Sequence, residues 1–149
     1  RKYPVHVRYI EMMPIGLGKK YAGRTEEEIL GELEKRYGTA VKFSGNLGNG
    51  PGHYYKFPEF QGKIGFISAM SHKFCSSCNR VRLTSEGYLK TCLQYDVGTD
   101  LRALLRNGAA KEEIKEAIQT AIQEKPQAHQ FTEEQENHGE QHMMSQIGG

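Results

Sequence analysis

The chain has 149 residues, 37% of them hydrophobic and 26% charged, with a formal net charge of +2. That is enough for a folded domain with a core of its own. No run of about 18 apolar residues occurs, which excludes a membrane-spanning helix of ordinary length, and Arg1-Lys2-Tyr3-Pro4-Val5 lacks the apolar segment of a secretory signal.

The charge is unevenly spread. Residues 1–90 hold 15 Lys/Arg against 8 Asp/Glu, and residues 91–149 hold 5 against 10. The first part is expected to offer a basic surface to an anion, and the last part to stay in solvent. Three cysteines, an odd number, argue against a closed disulfide framework and for a reducing cytoplasm with thiols available to a metal.

Val5, Val7 and Tyr9 alternate with His6 and Arg8, the two-residue period of a strand. Pro14-Ile15-Gly16-Leu17-Gly18 ends it in a loop. Thr25 caps a helix, Glu28 completes a capping box, and Ile29, Leu30, Leu33 and Tyr37 form one apolar stripe that stops at Gly38. Residues 44–52 carry four glycines and read as a loop. With no strand-to-helix transition around it, a phosphate-cradling role is poorly supported. Residues 54–57 and 63–69 read as strands, and 80–84 with 88–93 as a hairpin. Asp100 caps a short helix over 101–106 that closes at Gly108. Residues 111–124 set Ile114, Ala117, Ile118, Ala121 and Ile122 on one helix face before Pro126. From residue 127 on the chain is rich in Glu, Gln and His and reads as a poorly packed tail. An opening without methionine, already strand-like, suggests a piece of a longer protein.

The most informative segment is Phe74-Cys75-Ser76-Ser77-Cys78-Asn79-Arg80-Val81-Arg82, followed by a turn and by Cys92. A two-residue turn at Glu86-Gly87 demands positive φ at Glu86, which a non-glycine residue resists. A three-residue loop, Ser85-Glu86-Gly87, demands it only at Gly87. The second choice pairs Thr84 with Tyr88, Arg82 with Lys90 and Arg80 with Cys92, and returns Cys92 to the face that carries the arginines.

Three thiols suit a cluster or metal with one position left open. A closed zinc site needs a fourth ligand, for which His72 or His53 is the available choice. An iron–sulfur cubane with three cysteines keeps one iron open, and this is the favoured reading. Zinc and three unrelated thiols stay as alternatives. Arg80 and Arg82 either remain solvated or donate paired hydrogen bonds to phosphate oxygens.

Residues 74–93 resemble the C-terminal domain of the molybdenum-cofactor biosynthesis protein A family, the radical S-adenosylmethionine GTP cyclases. The resemblance extends upstream through Val7-Arg8-Tyr9-Ile10-Glu11-Met12-Met13-Pro14-Ile15-Gly16 and downstream to Ile147-Gly148-Gly149. It implies a 4Fe-4S cluster held by Cys75, Cys78 and Cys92, whose open iron meets the guanine base of GTP. It assigns Arg80 and Arg82 to GTP, Met13 to S-adenosylmethionine, and the Gly148-Gly149 tail to assistance of the radical step. It also implies a lyase that converts GTP to 3′,8-cyclo-7,8-dihydro-GTP in molybdenum cofactor biosynthesis. The family's Cys-x-x-x-Cys-x-x-Cys motif, for a second 4Fe-4S cluster that cleaves S-adenosylmethionine, is missing here. This chain is therefore expected to bind GTP without turning it over, and to work with the N-terminal radical domain of the same protein.

The expected fold is α+β: the end of an incomplete (β/α) barrel over 1–43, a cluster- and GTP-binding region with an antiparallel sheet and helices over 44–126, and a mobile tail over 127–149. No membrane or nucleic-acid partner is expected, and a homodimer stays open. The competing function is a non-catalytic, metal-stabilised nucleotide- or RNA-binding module, for which Tyr54, Tyr55 and Phe57 beside Lys56 offer weak support. His138 and His142, four apart, lack the glutamate of a zinc-protease motif and read as solvated. Lys19, Lys20 and Arg24 read as a solvated basic loop.

Overall fold

The computed structural model describes residues 2–45, 47–131, 140 and 142–147. Two compact units emerge, one from residues 1–13 and 21–77, the other from 14–20 and 78–149.

In the first unit, β1 (Val7–Ile10), β2 (Val41–Phe43), β3 (His53–Lys56) and β4 (Ile64–Ile67) form a mixed sheet in the order β1-β4-β3-β2. β1 runs parallel to β4, with Val7 opposite Ile64 and Ile10 opposite Ile67; the other pairs are antiparallel. Helix α1 (Glu26–Tyr37) starts as its sequence demands. The Glu28 amide donates to Thr25 Oγ1 at 3.4 Å, and the Thr25 amide donates to Glu28 Oε2 at 2.9 Å. Gly38, at φ +89°, lets the chain leave the helix. The apolar stripe of α1 packs with Tyr9, Tyr55 and Phe60 onto Phe57, Ile64 and Phe66. Each large side chain so buried contributes about 1.5–3 kcal/mol.

β2 was not expected. Three residues are too few to show a two-residue period, and Val41-Lys42-Phe43 becomes a strand only because β3 offers it an edge. β1 lies at the other edge with Val7 and Ile10 exposed.

The second unit holds a three-stranded antiparallel sheet of β5 (Arg82–Leu83), β6 (Tyr88–Lys90) and β7 (Gly98–Asp100), with helices α2 (Leu101–Arg106) and α3 (Lys111–Gln123). β7 was also unforeseen. Its Gly98 sits so close to Leu89 that an added Cβ would fall 1.8 Å from the Leu89 carbonyl oxygen, so a glycine that reads as a strand breaker is what allows the pairing. Asp100 ends β7 and caps α2, its Oδ1 accepting from the Ala103 amide at 2.8 Å. On α3, Ala121 is buried while Ile122, expected on the same face, is 48% exposed: the face centres one residue earlier. The 14–18 loop includes the start of a 3-10 turn over Gly16–Lys20, and Ile15 before it is buried. Glu140 and Ile147, in the stretch read as a poorly packed tail, are buried within this unit.

The fold is thus α+β with one mixed and one antiparallel sheet. Both are open, and no barrel closes among the described residues.

Candidate functional site

The hairpin adopts the three-residue-loop register. Arg82 lies opposite Lys90 and Leu83 opposite Leu89. The Thr84 amide donates to the Tyr88 carbonyl at 2.9 Å, and Gly87 takes φ +83°. α2 backs the loop, the Arg102 amide donating to the Gly87 carbonyl at 3.2 Å. A Cβ on Gly87 would lie 2.7 Å from Arg102 Cβ. Gly87→Ala is therefore expected to cost about 1–3 kcal/mol, from left-handed strain together with this overlap. Chemical denaturation checks it, and an unchanged midpoint would refute the constraint.

The expected pairing of Arg80 with Cys92 is not made, because the ladder ends at Arg82–Lys90. Two diversions explain this. After β6 the Thr91 amide donates to the Val97 carbonyl, which turns the chain toward β7. The Arg80 carbonyl, which the next rung of the ladder would use, accepts instead from Lys125 Nζ at 2.8 Å. The same ammonium donates to the Cys78 carbonyl at 2.8 Å and to Cys78 Sγ at 3.4 Å.

Arg80 is exposed, and Arg82, Cys78 and Cys92 are half-buried, all in the second unit. Cys75 is half-buried in the first unit, at the start of a 3-10 turn over Cys75–Ser77. None of the three cysteines is in a disulfide, so the donor set has the chemistry a three-thiolate cluster requires. Among the described residues, however, no three His, Cys, Asp or Glu side chains stand together as a metal-holding group. His53 and His72, the alternative fourth ligands, face the Glu26 carboxylate. Gly148, Gly149 and His138 lie outside the described residues.

Thr84, Tyr88 and Lys90 share the hairpin face of Arg82, by the alternation of strand side chains. Thr84, Tyr88 and Lys90, but not Arg82, line a cavity of about 360 Å³ together with Arg102, His142 and Ile147. Lys90 is buried beside it and pairs with Asp96 Oδ1 at 3.2 Å and with the buried carboxylate of Glu140. Burial alone would lower the Lys90 pKa, but the hydrogen bonds it donates to Glu140 and Asp96 raise it above its ordinary value. Burial would raise that of Glu140, but hydrogen bonds from Lys90 and His142 bring it below the ordinary carboxylate range.

The first unit has its own buried polar centre. Glu26 Oε1 lies 2.6 Å from His53 Nε2 and accepts from the Tyr55 hydroxyl at 3.1 Å, while Oε2 accepts from Ser68 at 2.5 Å. Burial opposes the charge, yet the hydrogen bonds from His53, Ser68 and Tyr55 hold Glu26 below the ordinary carboxylate range. A cavity of about 270 Å³, lined by Tyr9, Met12, Gly23, Glu26, Phe66 and Ser68, adjoins it. Met12 lines this cavity, and Met13 is half-buried one residue on. Glu11 Oε2 accepts from the Met70 and Ser71 amides at 2.6 and 2.9 Å, which steadies the segment before both methionines. The roles of Lys90, Lys125 and Glu26 were missed in the sequence, because a lone charged residue in a mixed-charge stretch carries no periodic signal.

The sequence is similar to those of known GTP 3′,8-cyclases. A GTP 3′,8-cyclase of Clostridium perfringens (strain SM101) is 45% identical over 149 residues, covering 99% of this chain and 46% of that protein. One of Desulforamulus reducens is 41% identical over 155 residues, covering 100% and 46%, and one of Trichodesmium erythraeum is 38% identical over 149 residues, covering 97% and 45%. The chain thus spans under half the length of these curated relatives. No described helix is long and apolar enough to cross a membrane. The Molybdenum Cofactor Synthesis C profile matches residues 5–131, and the chain belongs to that family.

Proposed function

We propose that this chain is the GTP- and cluster-binding half of a cytoplasmic GTP 3′,8-cyclase, a lyase that converts GTP to 3′,8-cyclo-7,8-dihydro-GTP on the way to molybdenum cofactor. The observation that carries this reading is the hairpin register, which turns Arg82 and Lys90 to one face beside a cavity lined by Ile147, the residue before Gly148-Gly149. In this reading Cys75, Cys78 and Cys92 hold a 4Fe-4S cluster. Such a cluster, with an iron left open, supplies a Lewis-acidic anchor for the base. Arg80 and Arg82 bind the triphosphate by charge-assisted hydrogen bonds, Met13 borders S-adenosylmethionine, and Gly148-Gly149 reaches the nucleotide.

The division of labour follows the chain. Residues 1–43 are the end of an incomplete (β/α) barrel, 44–126 carry cluster and GTP, and 127–149 deliver the tail. The exposed edge of β1 meets the preceding half of the longer protein, which brings S-adenosylmethionine and a second cluster. That β1 is parallel to its neighbour and exposed at Val7 and Ile10 supports this junction.

Anaerobic reconstitution of the full-length protein tests the reading. Cys78→Ser is expected to lower bound iron by about four per chain. Arg80→Ala and Arg82→Ala are each expected to weaken GTP binding by about 1–3 kcal/mol with iron content intact. Equal iron with and without Cys78 would refute the ligand set, and unchanged affinity in both arginine variants would remove the phosphate role. One tightly held zinc with no response to GTP would instead favour a metal-stabilised binding module.

A further inference from the structure

We propose that Lys125 is a positioning residue for the Cys78 thiolate, tying the cysteine to the arginine-bearing turn and donating a hydrogen bond to the ligand sulfur. This rests on the reading of Cys78 as a cluster ligand.

The geometry is specific. An ammonium has three N–H donors and no acceptor. Lys125 Nζ meets three acceptors, the carbonyls of Cys78 and Arg80 at 2.8 Å each and Cys78 Sγ at 3.4 Å. All its donors are therefore used on a stretch of three residues. Two carbonyls separated by one residue converge on a single cation, which fixes the backbone from the first cysteine of the second unit to the first arginine. The third bond sets the direction of the thiol itself.

The local fold explains why a lysine at 125 reaches this point. α3 ends at Gln123, and the Lys125 amide still donates to the Ile122 carbonyl at 3.3 Å, in the last turn. Pro126 follows and cannot extend the helix. The side chain therefore leaves from the end of a helix packed against β7. It is half-buried, so its bonds are less exposed to competition from water than those of a surface lysine.

Two consequences follow for a bound cluster. Outer groups that hold a ligand side chain raise the retention of the metal. A hydrogen bond to a ligand sulfur also withdraws electron density, and such bonds are among the determinants of cluster reduction potential. Removing this one favours the oxidised state.

The test uses the full-length protein, reconstituted anaerobically with iron and sulfide. Three variants are compared with wild type: Lys125→Met, which keeps the aliphatic stem; Lys125→Arg, which keeps charge and donors; and Cys78→Ser. Iron retained after challenge with a chelator and the midpoint potential of the GTP-responsive cluster are measured. Lys125→Met is expected to lose cluster iron at least several-fold faster and to shift the potential to more negative values, with Lys125→Arg close to wild type. A purely packing role would be met by methionine. Wild-type iron loss and potential in Lys125→Met, with iron lost in Cys78→Ser, would overturn the inference and leave the ligand reading standing. Full iron in Cys78→Ser would overturn both. Should Lys125→Met not fold, Lys125→Gln, which keeps an uncharged donor, is expected to fall between Met and Arg, and wild-type behaviour there overturns the proposal.

Discussion

Lys90→Met is expected to destabilise the second unit by about 3–5 kcal/mol, the usual consequence of removing one partner from a buried ion pair. Lys90 and Glu140 are 2% and 4% exposed. Without the ammonium, the Glu140 carboxylate keeps, among the described residues, its bonds with His142, whose amide and Nδ1 each lie 2.7 Å from Oε1. The remaining oxygen would face an apolar methionine. Lys90→Met combined with Glu140→Leu is expected to recover a large part of the loss, because the desolvated charge is gone.

The pH dependence has a definite sign. The Lys90 pKa is raised above 10.5, so its contribution is complete below that value and is lost as pH rises through the folded-state pKa. The Glu140 pKa is lowered from 4.5, so its contribution is complete above that value and is lost as pH falls through the folded-state pKa. The advantage of wild type over Lys90→Met should then shrink as pH is raised beyond 10.5. Hydrogen exchange gives a local check: the amides of 140 and 142–147 should exchange faster in the variant, since the Glu140 carboxylate ties this stretch to Lys90 of β6. Equal unfolding midpoints and equal exchange would show that the pair contributes nothing.

The second large effect is at Glu26. Glu26→Ala removes the common acceptor of His53, Tyr55 and Ser68, leaving buried or half-buried donors without it. At about 1–3 kcal/mol for each unsatisfied group, a loss of about 3 kcal/mol or more is expected. Glu26→Gln retains one acceptor and should lose less. Because the Glu26 pKa is lowered from 4.5, its stabilisation is complete above that value and disappears as pH falls through the folded-state pKa. Acid unfolding of wild type should therefore steepen below about pH 4.5, and Glu26→Ala should show a shallower acid limb. An identical limb in both would mean that the carboxylate is not the acid-sensitive group of this unit.

What was legible in the sequence was local. The capping box of α1, the stop at Gly38, the Asp100 cap and the hairpin register each depend on residues within a few positions of one another, where backbone φ and nearby side chains decide the outcome. The hairpin is the clearest case. Only a glycine takes φ +83° without strain, so Gly87 selects one loop length, and that loop length sets which side chains share a face.

Other features needed the folded chain. β2 and β7 are three residues each, and they exist because a neighbouring strand supplies the hydrogen bonds. Arg80 leaves the ladder because a lysine 45 residues on takes its carbonyl. Glu140, in a stretch whose composition looks solvated, is buried because Lys90 is there to pair with it. The sequence alone determined the chemical kit, three thiols and two arginines around one tight turn, since turn geometry is a short-range property. Tertiary structure alone decided which distant charges meet, because a buried charge finds its partner by position in space, and separation along the chain does not record it.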